Sequence, residues 1–195
     1  IKRVHLEEDP AKLIHKGSIT ESTGTLIDYN RSGCPLVEIV SEPDIENPEQ
    51  AREFLDKLTS VLDYLEVFDE INGTLKADSN ISIKGNERVE VKNVTGKKNV
   101  ELALNYEFER QKKLVESREK IKRETRAFDE EACITRSLRS KESEEDYGYI
   151  FEPDLPEIEI DDSWLNEIKK SIPELPEQKI KRFEKEFGID KTSAS

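Results

Sequence analysis

The stretch that most narrows what this chain can fold into is KADSNISIKGNERVEVKNV, residues 76–94, where polar and apolar residues alternate on either side of a Gly-Asn pair. Successive side chains of a strand point to opposite faces, so the alternation predicts two short strands joined by a turn at Gly85 and Asn86. On the first strand Asp78, Asn80 and Ser82 share one face, and Ile81 and Ile83 share the other. On the second, Val89 and Val91 form the dry face, and Arg88, Glu90 and Lys92 the polar one. The dry faces coincide only if the loop has an odd number of residues, which favours a three-residue loop, 84–86, over the commoner two-residue one. That register sets Asn80 opposite Glu90 and Asp78 opposite Lys92. The resulting polar wall suits a hard cation such as magnesium, which takes carboxylate and amide oxygens and serves phosphate chemistry. From spacing alone, the solvated face of an amphipathic hairpin is the simpler reading of the same pattern.

The 195 residues suffice for one good core, or for one domain and the beginning of another. The chain opens at Ile1 and contains no methionine, as expected of a segment cut from something longer. A net charge of -13 argues against gripping nucleic acid by bulk electrostatics, because counterion release needs clustered lysine and arginine. Any RNA contact must then be local. Cys34 and Cys133 lie far apart without CxxC spacing, so buried free thiols are expected rather than a disulfide framework or a zinc site. No apolar run approaches a membrane span and no signal peptide is visible, so a soluble, cytosolic protein is expected.

In chain order, residues 2–9 read as a strand with Val4 and Leu6 on one side and His5, Glu7 and Asp9 on the other, ended by Pro10. Glu7, Glu8 and Asp9 repel one another, so they fan into water or are held by a cation or an arginine. Residues 26–29 and 36–40 read as apolar strands flanking a turn at 30–33, with Asn30 and Gly33 supplying left-handed positions and Arg31 at the tip, facing phosphate or water. Asn47 and Pro48 then cap a helix carrying Ala51, Phe54, Leu55, Leu58, Val61, Leu62 and Leu65 at helical spacing. A second amphipathic helix is expected over 95–117, with Val100, Ala103, Leu104, Phe108, Gln111 and Val115 along its stripe.

Two further strands, 121–128 and 133–140, bring Arg123, Arg126, Arg136, Arg139 and Lys141 close in sequence. Arginine forks match phosphate oxygens, so this group is the internal candidate for a nucleotide-phosphate clamp; salt bridges to neighbouring glutamates are the alternative. Residues 146–156 read as an extended packed connection, followed by a helix capped by Asp162 and Ser163 and another from Pro176 to Gly188. The last two look like the opening of a helical unit, giving domains at 1–160 and 161–195.

The blocks HLEEDPAKLIH at 5–15, DYNRSGCPLVEIVSEPD at 28–44, KADSNIS at 76–82, VEVKN at 89–93, SLRSKE at 137–142 and EPDLP at 152–156 resemble, in this order, the B subunits of the aspartyl/glutamyl-tRNA amidotransferases, archaeal members above all. The sibling archaeal E-subunit family shares several blocks. The resemblance implies an α+β fold, an antiparallel sheet backed by helices in a glutamine-synthetase-like cradle, with the start of a helical domain. It also implies a reaction: ATP phosphorylates the side-chain carboxylate of a mischarged Glu-tRNA or Asp-tRNA, and ammonia displaces the phosphate to give Gln-tRNA or Asn-tRNA. Ammonia would arrive through a channel from a glutaminase A subunit, with a small C subunit tying the heterotrimer together.

By the same resemblance, magnesium ligands map onto Glu8, Asp78 and Glu90, two of them on the wall read from alternation. From the cation group read above, Arg126, Arg139 and Lys141 would share the phosphate charge. Glu8 fits only if its strand ends or bulges before it, since plain alternation puts Glu7 beside His5. Lys76 and Gly148 stand where the family commonly has arginine, and blocks of the family lie before Ile1 and after Ser195, so the isolated segment is expected to be inactive in amidation. A non-catalytic scaffold that docks tRNA or protein partners, and a free-standing amide ligase for a small metabolite, are the other function classes open to such a chain.

Overall fold

The computed structural model describes residues 1–15, 24–69, 71, 73–138, 156–190 and 193. Two compact units divide the chain, Ile1–Glu46 and Asn47–Ser195. In the first, β1 (Arg3–Glu8), β2 (Lys12–His15), β3 (Thr25–Asp28) and β4 (Pro35–Val40) form two separate ribbons, β1 with β4 and β2 with β3, both antiparallel. The turn at 30–33 lies between β3 and β4 as its residues predict, but the two strands it links each pair elsewhere. Its backbone explains why. Gly33 is left-handed at φ 80 and donates its N–H to the Asp9 carbonyl at 3.0 Å, while the Asp9 N–H donates to the Cys34 carbonyl at 2.8 Å. The loop therefore extends the β1–β4 ladder instead of closing a hairpin. Arg31, expected at phosphate or in water, lies 2.6 Å from the Asp9 carboxylate, and Asn30 shows no left-handed φ.

The second unit begins with α1 (Pro48–Tyr64). The Asn47 side chain accepts from the Gln50 N–H at 2.8 Å and Pro48 fills the first helical position, so the cap is the one its residues predict. There follow β5 (Lys76–Ile81), β6 (Val89–Thr95), α2 (Lys97–Glu116), β7 (Glu124–Asp129) and β8 (Ile134–Ser137), forming one sheet in the order β5-β6-β7-β8. β5–β6 and β7–β8 are antiparallel, but β6 and β7 run parallel, so the sheet is mixed and not the antiparallel one expected. A parallel neighbour needs a long crossover, and α2 supplies it.

Ala51 and Leu55 of α1, Val91 and Val94 of β6, and Val100, Ala103 and Leu104 of α2 make the core. Phe108 and Val115, read as part of the buried stripe, are exposed, and Glu107 is buried in their stead. Cys34 and Cys133, expected to be buried, are exposed free thiols. Two helices complete the unit, α3 (Asp162–Ser171), capped by the Asp161 side chain on the Trp164 N–H, and α4 (Pro176–Phe187), ended by left-handed Gly188. The connection read at 146–156 lies outside the described residues except for Pro156. Among the described residues no helix is long and apolar enough to cross a membrane.

Candidate functional site

The β5–β6 hairpin pairs Asn80 with Glu90 and Ile81 with Val89, the register that parity demands. A turn at 84–86 closes it, with Gly85 left-handed at φ 85 and the Asn86 N–H donating to the Ile83 carbonyl at 2.9 Å. Val89 and Val91 are fully buried beneath the sheet, whereas Asp78 and Asn80 are exposed above it. Asp78 and Glu90 thus lie on one face, as alternation requires.

The pairing of Asp78 with Lys92 differs from expectation. Ala77 pairs with Val94 and Ser79 with Val91, so Asp78 stands against two residues, Lys92 and Asn93, at a bulge. Asn93 takes φ 56, a left-handed conformation that asparagine tolerates better than most side chains. One Asp78 carboxylate oxygen accepts from the Asn93 N–H at 2.7 Å. Asp78 therefore stabilises the bulge with one oxygen and leaves the other for a ligand.

Glu90 has neighbours from two strands. The Thr125 hydroxyl of β7 donates to its Oε2 at 3.5 Å, and Lys92 Nζ lies 4.0 Å from the same oxygen. The Lys92 side chain is only 8% exposed and that of Glu90 32%, so this cation is the deepest charge on the wall.

Arg126, expected to clamp phosphate, is on the other side. The parallel register matches it with Val91, the buried face of β6, which turns its side chain toward α2. There its Nε donates to Thr135 Oγ1 at 2.8 Å, its Nη2 to the Thr135 carbonyl at 2.7 Å and its Nη1 to Glu124 at 3.1 Å, with Glu107 Oε2 3.3 Å away. With its donors taken by Thr135 and Glu124, this guanidinium ties β7 to β8 beneath the sheet, and the parallel register alone places it there. Arg136, on the wall side, donates to Asp129 at 3.0 Å. Arg139 and Lys141 lie outside the described residues.

Glu107 is the centre of this buried network, and the reading of α2 as an apolar stripe missed it. It accepts from Arg110 at 2.7 and 2.9 Å, from Gln111 at 2.9 Å and from Thr135 at 2.9 Å. Burial pushes its carboxyl up, but these hydrogen bonds and the Arg110 charge outweigh it and hold the group below the usual carboxylate range. The spacing of Val100, Ala103, Leu104, Glu107 and Gln111 carried the signal: with Gln111 already on the stripe, position 107 four residues before it lies on the same face, and only its charge argued against burial.

In the first unit the β1–β4 ladder is regular through Glu8, paired with Pro35. No bulge precedes Glu8, so it faces away from His5 and Glu7. Instead His5, Glu7 and Glu38 bring one ligand atom each within 4.8 Å of one another. Burial and the adjacent Glu38 carboxylate raise the Glu7 pKa, with His5 acting the other way. A cation would relieve that crowding, although an imidazole with two carboxylates is a transition-metal set rather than a magnesium one.

The wall's donors fit magnesium better. Magnesium binds through one or two carboxylates, keeps several waters and completes its shell with phosphate oxygens. The free Asp78 oxygen, Glu90 and the Asn80 amide are hard oxygen donors of that kind on one face.

Residues 1–166 match the family described as the GatB/GatE catalytic domain. The chain is 51% identical over 190 residues to the B subunit of the aspartyl/glutamyl-tRNA(Asn/Gln) amidotransferase of Methanosarcina barkeri, covering 97% of this chain and 38% of that protein. Its counterparts of the same name from Methanococcoides burtonii and Sulfolobus acidocaldarius are each 49% identical, covering 100% of this chain and 41% and 42% of their own lengths. The chain therefore spans about two fifths of the relatives it matches.

Proposed function

This chain belongs to the GatB/GatE catalytic-domain family, and from that premise we propose that it forms the ATP-dependent half of a tRNA-dependent amidotransferase, working in the cytoplasm. On this reading ATP phosphorylates the side-chain carboxylate of Glu-tRNA(Gln) or Asp-tRNA(Asn). Ammonia from a glutaminase A subunit, held to this one by a small C subunit, then displaces the phosphate to leave the amide. The observation that carries the proposal is identity near one half along the whole chain to proteins bearing that name. The relatives named above are all B subunits, which favours the B type over its E-type sibling. A glutamine-synthetase-like cradle belongs to the same proposal.

The wall is the part of this chain that suits such chemistry. A carboxylate is a poor acyl donor, and converting it to an acyl phosphate requires charge on the transferring phosphoryl group to be neutralised, which magnesium supplies when bound. Asp78 is held in one orientation by the Asn93 N–H and presents its second oxygen. Glu90 is steadied by Thr125 from the neighbouring strand. Of the carboxylates implied by resemblance, these two share the wall; Glu8 belongs to the first unit and calls for its own substitution. Arg139 and Lys141 are the remaining proposed phosphate cations.

The test is made in the intact complex. Asp78→Ala and Glu90→Ala are expected to abolish ADP formation that depends on mischarged tRNA while leaving the complex assembled. Full activity in both variants would instead favour a docking scaffold. ADP formation without aminoacyl-tRNA would point to a ligase acting on a small molecule.

A further inference from the structure

With Arg126 turned beneath the sheet, the cation that stands beside Glu90 is Lys92. We propose that Lys92 is the wall's built-in counter-charge: it keeps a divalent cation from settling on Asp78 and Glu90 alone and admits one only together with an anionic phosphate ligand. The inference rests on the wall being the metal site proposed above.

Within the strands, the open face of the sheet carries the cations Lys76, Lys92 and Arg136 alongside the carboxylates Asp78, Glu90 and Asp129. The Arg136–Asp129 pair closes on itself at 3.0 Å, and Lys76 is exposed at the edge. Lys92 differs from both. Its side chain is 8% exposed and its Nζ is 4.0 Å from Glu90 Oε2, so it cannot withdraw into water when another cation arrives. At this separation, in surroundings less polar than water, like-charge repulsion is several times its bulk value. A bare dication at Glu90 therefore meets a fixed positive charge a few ångströms away. A triphosphate arriving with the dication brings negative charge that offsets it. The backbone supports the placement: the bulge sets both Lys92 and Asn93 across the hairpin from Asp78, and Lys92 lies two residues along its own strand from Glu90.

The experiment is a manganese titration of the intact complex, followed by the paramagnetic signal of free Mn2+, with and without a non-hydrolysable ATP analogue. Wild type, Lys92→Met, Lys92→Gln, Lys92→Arg, Glu90→Gln and the double variant Lys92→Met/Glu90→Gln are compared. Wild type and Lys92→Arg are expected to fill the Glu90-dependent site only when the analogue is present. Lys92→Met and Lys92→Gln should fill it without nucleotide, about tenfold tighter or more, and the double variant should lose that gain.

Glu90-dependent Mn2+ binding by nucleotide-free wild type would overturn the inference even if no Lys92 variant assembled. So would an unchanged nucleotide-free affinity in Lys92→Met while Glu90→Gln still weakens nucleotide-dependent uptake; that pattern leaves the metal wall standing. Indifference of Mn2+ uptake to Glu90→Gln under both conditions would remove the wall itself, and the inference with it.

Discussion

Glu107 has no exposed surface and accepts hydrogen bonds from three residues, Arg110, Gln111 and Thr135. Removing it leaves Arg110 and Arg126 to share Glu124 alone and strips Gln111 and Thr135 of their buried acceptor, so Glu107→Ala is expected to cost about 3–5 kcal/mol in urea denaturation. Its folded pKa is depressed, so its contribution is complete above the ordinary glutamate range near about 4.3 and is lost as pH falls through the folded value. Glu107→Gln should therefore flatten the acid limb of a Tm-against-pH curve; an unchanged limb would place the acid sensitivity elsewhere. Asp78 permits a similar separation of roles. Asp78→Asn keeps an acceptor for the Asn93 N–H and should remain within about 1 kcal/mol of wild type, whereas Asp78→Ala leaves that donor without its partner and should cost about 1–3 kcal/mol. If the second oxygen is a ligand, Asp78→Asn nevertheless loses activity in the complex, so stability and turnover part company.

The hairpin shows how one local feature arranges a functional face. Parity of the loop sets Asn80 against Glu90, and the bulge at Asn93 then offsets the remainder of β6, so that Val94 returns to the dry side while Lys92 stays on the wall. Everything turns on one residue holding φ 56. Asn93→Val, which resists a left-handed backbone, should destabilise by about 1–3 kcal/mol in thermal unfolding, and Asn93→Gly should be nearly neutral. Equal effects of the two would show that the bulge does not depend on backbone freedom. The start of α1 offers a simpler case: Asn47→Ala removes the bond to the Gln50 N–H and should cost about 1 kcal/mol.

A net charge of -13 bears on the tRNA contact that the proposed function calls for. Phosphate binding by counterion release requires cation clusters, and on the wall the cations are interspersed with Asp78, Glu90 and Asp129, so the chain by itself should give no gel shift with tRNA at about 0.15 M salt. A robust shift would mean that a cationic surface elsewhere outweighs the net charge. The amino-acid order alone determined the caps at Asn47, Pro48 and Gly188, the parity of the hairpin and the common face of Asp78 and Glu90, because each depends on bonds and side-chain directions within a few residues. Only the tertiary structure decided which strands become neighbours. β4 returned to β1 rather than pairing with β3, and β7 lay parallel to β6 across α2. That second choice put Arg126 in line with Val91 and sent it beneath the sheet, leaving Lys92 as the cation beside Glu90. Alternation assigns side chains to two faces of a strand; which of those faces is dry is settled by what packs against it, and that information is spread over residues far apart in the chain.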